Sequence, residues 1–403
     1  MTTAAWAGPL SGVRVIEVGT NIMAPYAGQM LGDLGADVVK LETAEGDPNR
    51  SLAPGVHPEL SGLALNLHRN KRSIAVNLKD AEGRTVAHKL IATADVFVSN
   101  MRPSAARRIA LDYDSLSARR TDLVYVEAHG FRIDSGLAEV PSYDDTIQAA
   151  CGLPRLNEPV AGDVFFPPTL IADKVAAMSI VQAVLAGLYR RATSGEGQRI
   201  EVPMFDSVLA FVLAEHMNRG TMPGGTAGYG RILTANRGPH RTSDGWLAIM
   251  PFLDRHWETL FTEGGCAGLL ENPWQVDMRA RLLNSDQAYG DLKTVMLNRT
   301  TGEWLEICDR HDIPVAEVPT LDEILAEDAR HHGAIRLTEH PVVGTYRDIR
   351  PPLVFHGSPV ATTPRPAPLI GQDTADLMGA LGYSPEDVAD LDARGVVRAR
   401  IDG

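Results

Sequence analysis

A chain of 403 residues is long enough for two or three domains, each with its own core. Apolar residues make up 44% and charged residues 22%, the balance of a soluble globular protein and not of a disordered or fibrous one. The net charge of −13 argues against nucleic acid as a partner; no uninterrupted apolar run reaches membrane-spanning length, and the N-terminus lacks the basic-then-apolar form of a signal peptide.

In chain order, residues 13–19 read as a strand, 24–34 as a helix closed by Gly35, and 36–42 as a second strand. That βαβ unit implies a parallel sheet with helices on its faces. An acidic residue ends the second strand, as in dinucleotide-binding units. Gly28, Gly32 and Gly35 are spaced by four and three, however, and no G-x-G-x-x-G follows the first strand, so dinucleotide binding finds little support. Residues 70–78 then lead a basic turn (Asn70, Lys71, Arg72, Ser73) into a strand. The turn is either a solvated surface or a grip on phosphates. A helix over 82–92, a strand over 95–99, a helix carrying Arg107 and Arg108 and a strand over 122–128 continue the alternation. This half therefore reads as a doubly wound α/β domain, where ligands sit at the carboxyl ends of strands. Asn100 and Arg102 directly follow such an end.

Residues 169–172 read as a short buried strand or extended entry. Val175, Met178, Val181, Leu185 and Leu188 then recur at helical spacing up to Arg190 and Arg191, and Ser194-Gly195 stops the run. Asp173 stands at the junction. It is either an N-cap, whose oxygen bonds first-turn N–H groups, or a carboxylate nucleophile kept ionised by the helix N-terminus. The spacing does not choose between them.

Residues 1–221 are read as a large α/β domain, 222–319 as a smaller α+β domain, and 320–403 as a linker and C-terminal segment. In the smaller domain a strand over 245–250 precedes helical stretches at 291–297 and 303–306, and Trp257, Trp274 and Trp304 read as core. Gly224, Gly225, Gly228 and Gly230 read as a flexible linker. Cys151, Cys266 and Cys308 are scattered and odd in number, which predicts reduced thiols in a cytoplasmic protein; no metal-ligand spacing occurs.

Several short motifs occur in a shared order. They are Leu10-Ser11-Gly12-Val13-Arg14-Val15-Ile16-Glu17, Leu34-Gly35-Ala36-Asp37, Pro141-Ser142-Tyr143-Asp144-Asp145, Ala172-Asp173-Lys174, Gly195-Glu196-Gly197-Gln198, Val202-Pro203-Met204-Phe205-Asp206 and Gly371-Gln372-Asp373-Thr374. Together they make the chain resemble, over nearly its whole length, the class III CoA-transferase family. That family is of the formyl-CoA transferase and carnitine CoA-transferase type and is related to the α-methylacyl-CoA racemases. The resemblance implies that Asp173 is the nucleophile, acting through an aspartyl anhydride and an aspartyl-CoA thioester, and the nucleophile reading then takes precedence; it is compatible with a capping role. It implies a coenzyme A thioester and a carboxylic acid as substrates, with no permanently bound cofactor. It also implies an interlocked homodimer whose C-terminal segment returns to the large domain. Carried over by position, the CoA site would involve Asn21, Asn70, Lys71, Arg72, Ser73, Asn100 and Arg108. Arg102 lies close in sequence, and Tyr143 would line the pocket.

Thr43 stands where formyl-CoA transferase carries an arginine and Pro141 near a position that carries a lysine there, which argues against formyl-CoA and oxalate as the substrate pair. Family habit points to a small or dicarboxylic acyl donor such as succinyl. The alternative is an acyl-CoA racemase or isomerase acting at the α-carbon. The racemases use a histidine at the position of Tyr143, and an unperturbed tyrosine, with a pKa of about 10, is a poor base. A nucleotide-dependent oxidoreductase would rest on the βαβ opening and lacks the glycine fingerprint; a noncatalytic binder of CoA esters is the remaining class. Arg231, His240 and Arg241 either face an acceptor carboxylate or are surface charges.

Overall fold

The structure, a computed structural model, describes residues 8–52, 54–356 and 364–400. Two compact units divide them. The larger draws on 1–151, 168–211 and 332–403, the smaller on 152–167 and 212–331. The units change after 211 and 331, where the sequence reading set boundaries after 221 and 319, and 152–167 joins the smaller unit.

In the larger unit the Val- and Ile-rich runs form strands β1 (Arg14–Val18), β2 (Asp37–Glu42), β3 (Lys71–Val76), β4 (Val96–Ser99), β5 (Val124–His129) and β6 (Gln198–Pro203). They are parallel, in the order β3-β2-β1-β4-β5-β6, and the short strand Val397–Arg398 adds antiparallel to β3. All six residues of β5 are buried, as expected of a strand covered on both faces. On one face Ile16, Val39, Ile74 and Phe97 pack against Val86, Leu90 and Ile91 of the helix Ala81–Ile91, and against Leu377 and Met378. Each such side chain contributes roughly 1.5–3 kcal/mol by leaving water. The helix Met23–Asp33 and the long helix Ile171–Ser194 pack together over the sheet, the latter against β5 and β6.

The long helix corrects two expectations. It begins at Ile171 with Leu170 at the N-cap, so residues 169–172 do not form a strand and Asp173 is the third helical residue, not the cap. By length and composition alone it could also cross a membrane, because 175–189 carries no charge, although Ser179 and Gln182 interrupt its apolar run. Within the unit the helix buries Ala172, Ala176, Ala177, Ile180, Val184 and Gly187, and Gly195 ends it in the left-handed conformation.

The smaller unit is built on an antiparallel sheet of His240–Arg241, Trp246–Ile249 and Val315–Glu317. Helices Asp254–Glu263, Ser285–Met296 and Thr301–Arg310 bury Trp257, Leu260, Phe261, Leu292 and Trp304 against it. Trp304 Nε1 donates to the Met296 carbonyl at 2.9 Å, and Trp274 Nε1 to Asp291 at 2.7 Å, so both indoles are satisfied inside. The glycine stretch 224–230 is tied down: the Gly228 N–H donates to the His216 carbonyl and the Gly225 N–H to that of Met222.

Candidate active site

The strand order reverses direction between β1 and β4. In a doubly wound sheet this is where the carboxyl ends part and a crevice opens. Thr20 leaves β1 and Asn100 leaves β4, and the two clasp each other. The Thr20 N–H donates to Asn100 Oδ1 at 3.1 Å, and Asn100 Nδ2 donates to the Thr20 carbonyl at 2.9 Å. Asn21 follows with φ of +66°, a left-handed turn that asparagine tolerates. Its N–H is held by Asp47 Oδ1 at 3.0 Å, and its carbonyl accepts from Asn49 Nδ2 at 2.6 Å.

Beneath this turn lies a buried set of charges. Lys40 Nζ reaches Glu17 at 2.9 Å and Asp47 at 2.8 Å, and Lys71 Nζ reaches the other Glu17 oxygen at 2.5 Å. Burial pulls the Lys40 ammonium down, but the carboxylates of Glu17, Asp47 and Glu42 more than offset it, and its pKa rises. Lys71 keeps the deficit: burial, together with the neighbouring Lys40, lowers it to about 8 against the pull of Glu17. The helix Met23–Asp33 presses so close here that a Cβ on Gly28 would sit 2.2 Å from a Glu17 oxygen. One on Gly32 would sit 2.8 Å from the Asn70 Cβ. The glycine spacing therefore serves helix packing.

The crevice is a pocket of about 140 Å³ whose lining includes Asn21, Asn100, Arg102, His129, Tyr143 and Asp173. Asp173 is half-buried, and among the described residues no group donates a hydrogen bond to its carboxylate. Its own N–H donates to Asp144 Oδ1 at 2.9 Å. Asp144, in the helix Asp144–Ala150, is buried and accepts a further hydrogen bond from Gln148 Nε2. Burial, and then the negative charge of Asp144, push the Asp173 carboxyl up from 3.8 to about 7. Tyr143 is 66% exposed and forms wall, not core. Arg102 is exposed at the pocket and makes no ion pair among the described residues, so its guanidinium is available to an anionic group.

Sequence reasoning had given no role to Asp144, Gln148 or His129. Asp144 lies within the Pro141-Ser142-Tyr143-Asp144-Asp145 motif, the one signal that points to it. His129, at the end of β5, is buried between Glu127 and Glu201, each 3.8 Å away, with Nδ1 3.2 Å from the Phe131 carbonyl. A lone histidine in an apolar strand gives no signal.

Other expected residues are not brought to this pocket. Lys71 and Ser73 are fully buried, Lys71 on Glu17 and Ser73 Oγ on Glu42 at 2.6 Å. Arg72 is paired with Asp37. Asn70 bonds Asp33 and, through Oδ1, the Arg365 N–H at 2.8 Å. The Ser73 N–H donates to Asp373, and Ser73 Oγ accepts from the Gly371 N–H. This stretch is a seam for the returning C-terminal segment, and it lies at the amino end of its strand, where β3 begins. Arg108 is exposed and does not line the pocket. Among the described residues no group of three or more His, Cys, Asp and Glu side chains is disposed to hold a metal ion.

Fold and site together define a doubly wound α/β protein with an accessible, unbonded carboxylate at its switch point. The profile of CoA-transferase family III matches residues 10–374. The chain is 27% identical to the human succinyl-CoA:glutarate CoA-transferase, over 96% of this chain and 90% of that one. It is also 27% identical to a formyl-CoA:oxalate CoA-transferase of Escherichia coli O157:H7, over 94% and 97%. A crystal structure of a CAIB/BAIF family protein from Brucella suis superposes with a TM-score of 0.79 at 25% identity, covering 93% of this chain and 100% of that one. The chain belongs to CoA-transferase family III and is an enzyme of that class, acting on acyl-CoA thioesters.

Proposed function

We propose that Asp173 carries CoA between two carboxylic acids by covalent catalysis. Its carboxylate attacks the thioester carbonyl of an acyl-CoA; the C–S bond breaks and a mixed acyl-aspartyl anhydride forms as CoA thiolate leaves. The thiolate then attacks the aspartyl carbonyl, the donor acid departs, and an aspartyl-CoA thioester remains. The acceptor carboxylate attacks that thioester, giving a second anhydride and free thiolate. Attack of the thiolate on the acceptor carbonyl releases the new acyl-CoA and restores Asp173.

The observation that carries this reading is the Asp173 carboxylate itself, which lines the switch-point pocket with no hydrogen bond from the described residues to occupy it. Raised to about 7, it is more basic than an ordinary carboxylate yet substantially ionised at neutral pH. The N-terminus of the long helix adds a field that favours the oxyanions of each step. Asn21, Asn100, Arg102 and Tyr143 line the same pocket and are the proposed CoA contacts. Relatives named for succinyl-CoA and glutarate make succinyl-CoA the first donor to try, with a dicarboxylate as acceptor. Met178, Leu185 and Tyr189 are exposed along the long helix, in keeping with a homodimer that covers them. Three free cysteines accord with a reducing, cytoplasmic setting.

Proton exchange at the α-carbon is the second reading, favoured by one observation: His129 lines the same pocket as Asp173, which supplies an acid–base pair. Intact-protein mass after incubation with a panel of acyl-CoA thioesters separates the two. Transfer through Asp173 gives a CoA-sized adduct that hydroxylamine removes and Asp173→Ala lacks. Its yield rises with pH about a midpoint near 7. Deuterium entering the α-carbon with no adduct would instead establish exchange.

A further inference from the structure

The smaller unit holds a cavity of about 220 Å³ that the chemistry at Asp173 does not use. Its wall is aromatic: Trp257 and Tyr289 are buried, with ring centroids 6.0 Å apart. Its mouth is apolar, with Phe252, Met278 and Leu282 exposed around it. Two guanidiniums enter this setting, and they differ. Arg281 is buried and already committed: it donates to the Gln275 carbonyl at 2.6 Å, pairs with Asp254 and lies 5.1 Å from the Trp257 ring centroid. Arg231 is half-buried and, among the described residues, pairs with no carboxylate: its partners are the Met250 sulfur at 3.4 Å, Tyr289 Oη at 3.4 Å and the Tyr229 side chain. The Tyr289 contact is at the long limit of a hydrogen bond. Burial disfavours its charge, and Tyr289 and Tyr229, not a carboxylate, more than offset that.

A guanidinium withdrawn from water without an anion is costly, and its planar fork matches a carboxylate bidentately. We propose that this cavity binds a small carboxylic acid with an aromatic or branched apolar body. The carboxylate pairs with Arg231, and the body lies against Trp257 and Tyr289 under the apolar mouth. Size supports a small ligand. Pockets for drug-sized molecules run to roughly 300–1,000 Å³, so a cavity of about 220 Å³ suits a single ring or a branched chain. The site is independent of the transferase reading, since it uses neither Asp173 nor CoA.

The test is titration of the full-length protein, without CoA, by 3-phenylpropionate and by its neutral amide, read by tryptophan fluorescence and by calorimetry. The acid gives saturable binding. The amide binds at least about tenfold more weakly, and so does the acid to Arg231→Met. Arg231→Lys recovers part of the affinity, because it restores the charge without the fork. Leu282→Glu, at the exposed mouth, sets a like charge against the ligand and also weakens binding. Trp257→Phe removes the fluorescence response and keeps calorimetric binding within a few-fold. Equal affinity for acid and amide, binding unchanged in Arg231→Met, a fluorescence response kept in Trp257→Phe, or no saturable binding of the acid each overturns the proposal. Asp173→Ala leaves this binding intact, so loss of the adduct described above and loss of this site are separate outcomes.

Discussion

Glu17 and Asp173 are both carboxylates drawn away from water in the larger unit, and their surroundings have opposite signs. Glu17 is held by two ammonium groups, Lys40 at 2.9 Å and Lys71 at 2.5 Å, inside a set that also contains Asp47. Among the described residues Asp173 has no cation on it, and it faces the negative Asp144. The paired group builds structure: through Lys40 and Asp47 it holds the Asn21 turn that lines the pocket. The unpaired one is left with a pKa near neutrality and free oxygens, which suits reaction. Burial of charge by itself separates nothing; the sign of the neighbours does.

The contrast can be broken from the Glu17 side first. Glu17→Ala leaves the buried Lys71 without its carboxylate beside Lys40, which keeps Asp47, and stability should fall by about 3–5 kcal/mol, measured as urea unfolding. A loss below about 1 kcal/mol would mean that the buried set does not hold the fold.

On the Asp173 side the effect has the opposite sign. Its folded pKa is raised from 3.8 to about 7, so between those values the native state holds a proton that the unfolded chain has lost. The stability from that proton is fully present below 3.8 and is lost as the pH rises through about 7. Asp173→Asn does not titrate. Above pH 7 it should be more stable than wild type by up to about 2 kcal/mol, after discounting for partial exposure, with no advantage near pH 4. Thermal unfolding across that range checks it. A variant no more stable at pH 8 would show that Asp173 is not held under charge strain.

The smallest effect sharpens the comparison at the surface. Arg102→Ala should raise KM for the acyl-CoA by about three- to tenfold, keep kcat, and flatten the salt dependence of KM. Lys71→Met should change stability and leave that salt dependence alone. If Lys71→Met flattens it and Arg102→Ala does not, the phosphates lie at the seam and not at the crevice.

Much of this was legible in the chain. β-branched runs alternating with helical periods gave the doubly wound order, because strand and helix periods are local properties. Asn100, which directly follows β4, lines the pocket from a strand end, where position alone pointed; Asn21, three residues beyond β1, was pointed to only by the family resemblance. Asp173 was legible as a carboxylate at the start of a long helix, though not its place in the first turn, since Leu170 carries no side chain that marks a cap.

What the sequence could not assign were partners distant along the chain. Lys71, Arg72 and Ser73 look like a phosphate grip until Glu17, Asp37, Glu42 and Asp373 are brought against them. Asp144 acquires its role only when its helix delivers it to the N-terminus of another. Local pattern decides where an element starts and which face it buries; whether a charged side chain is paired or left free depends on contacts that only the folded sheet makes.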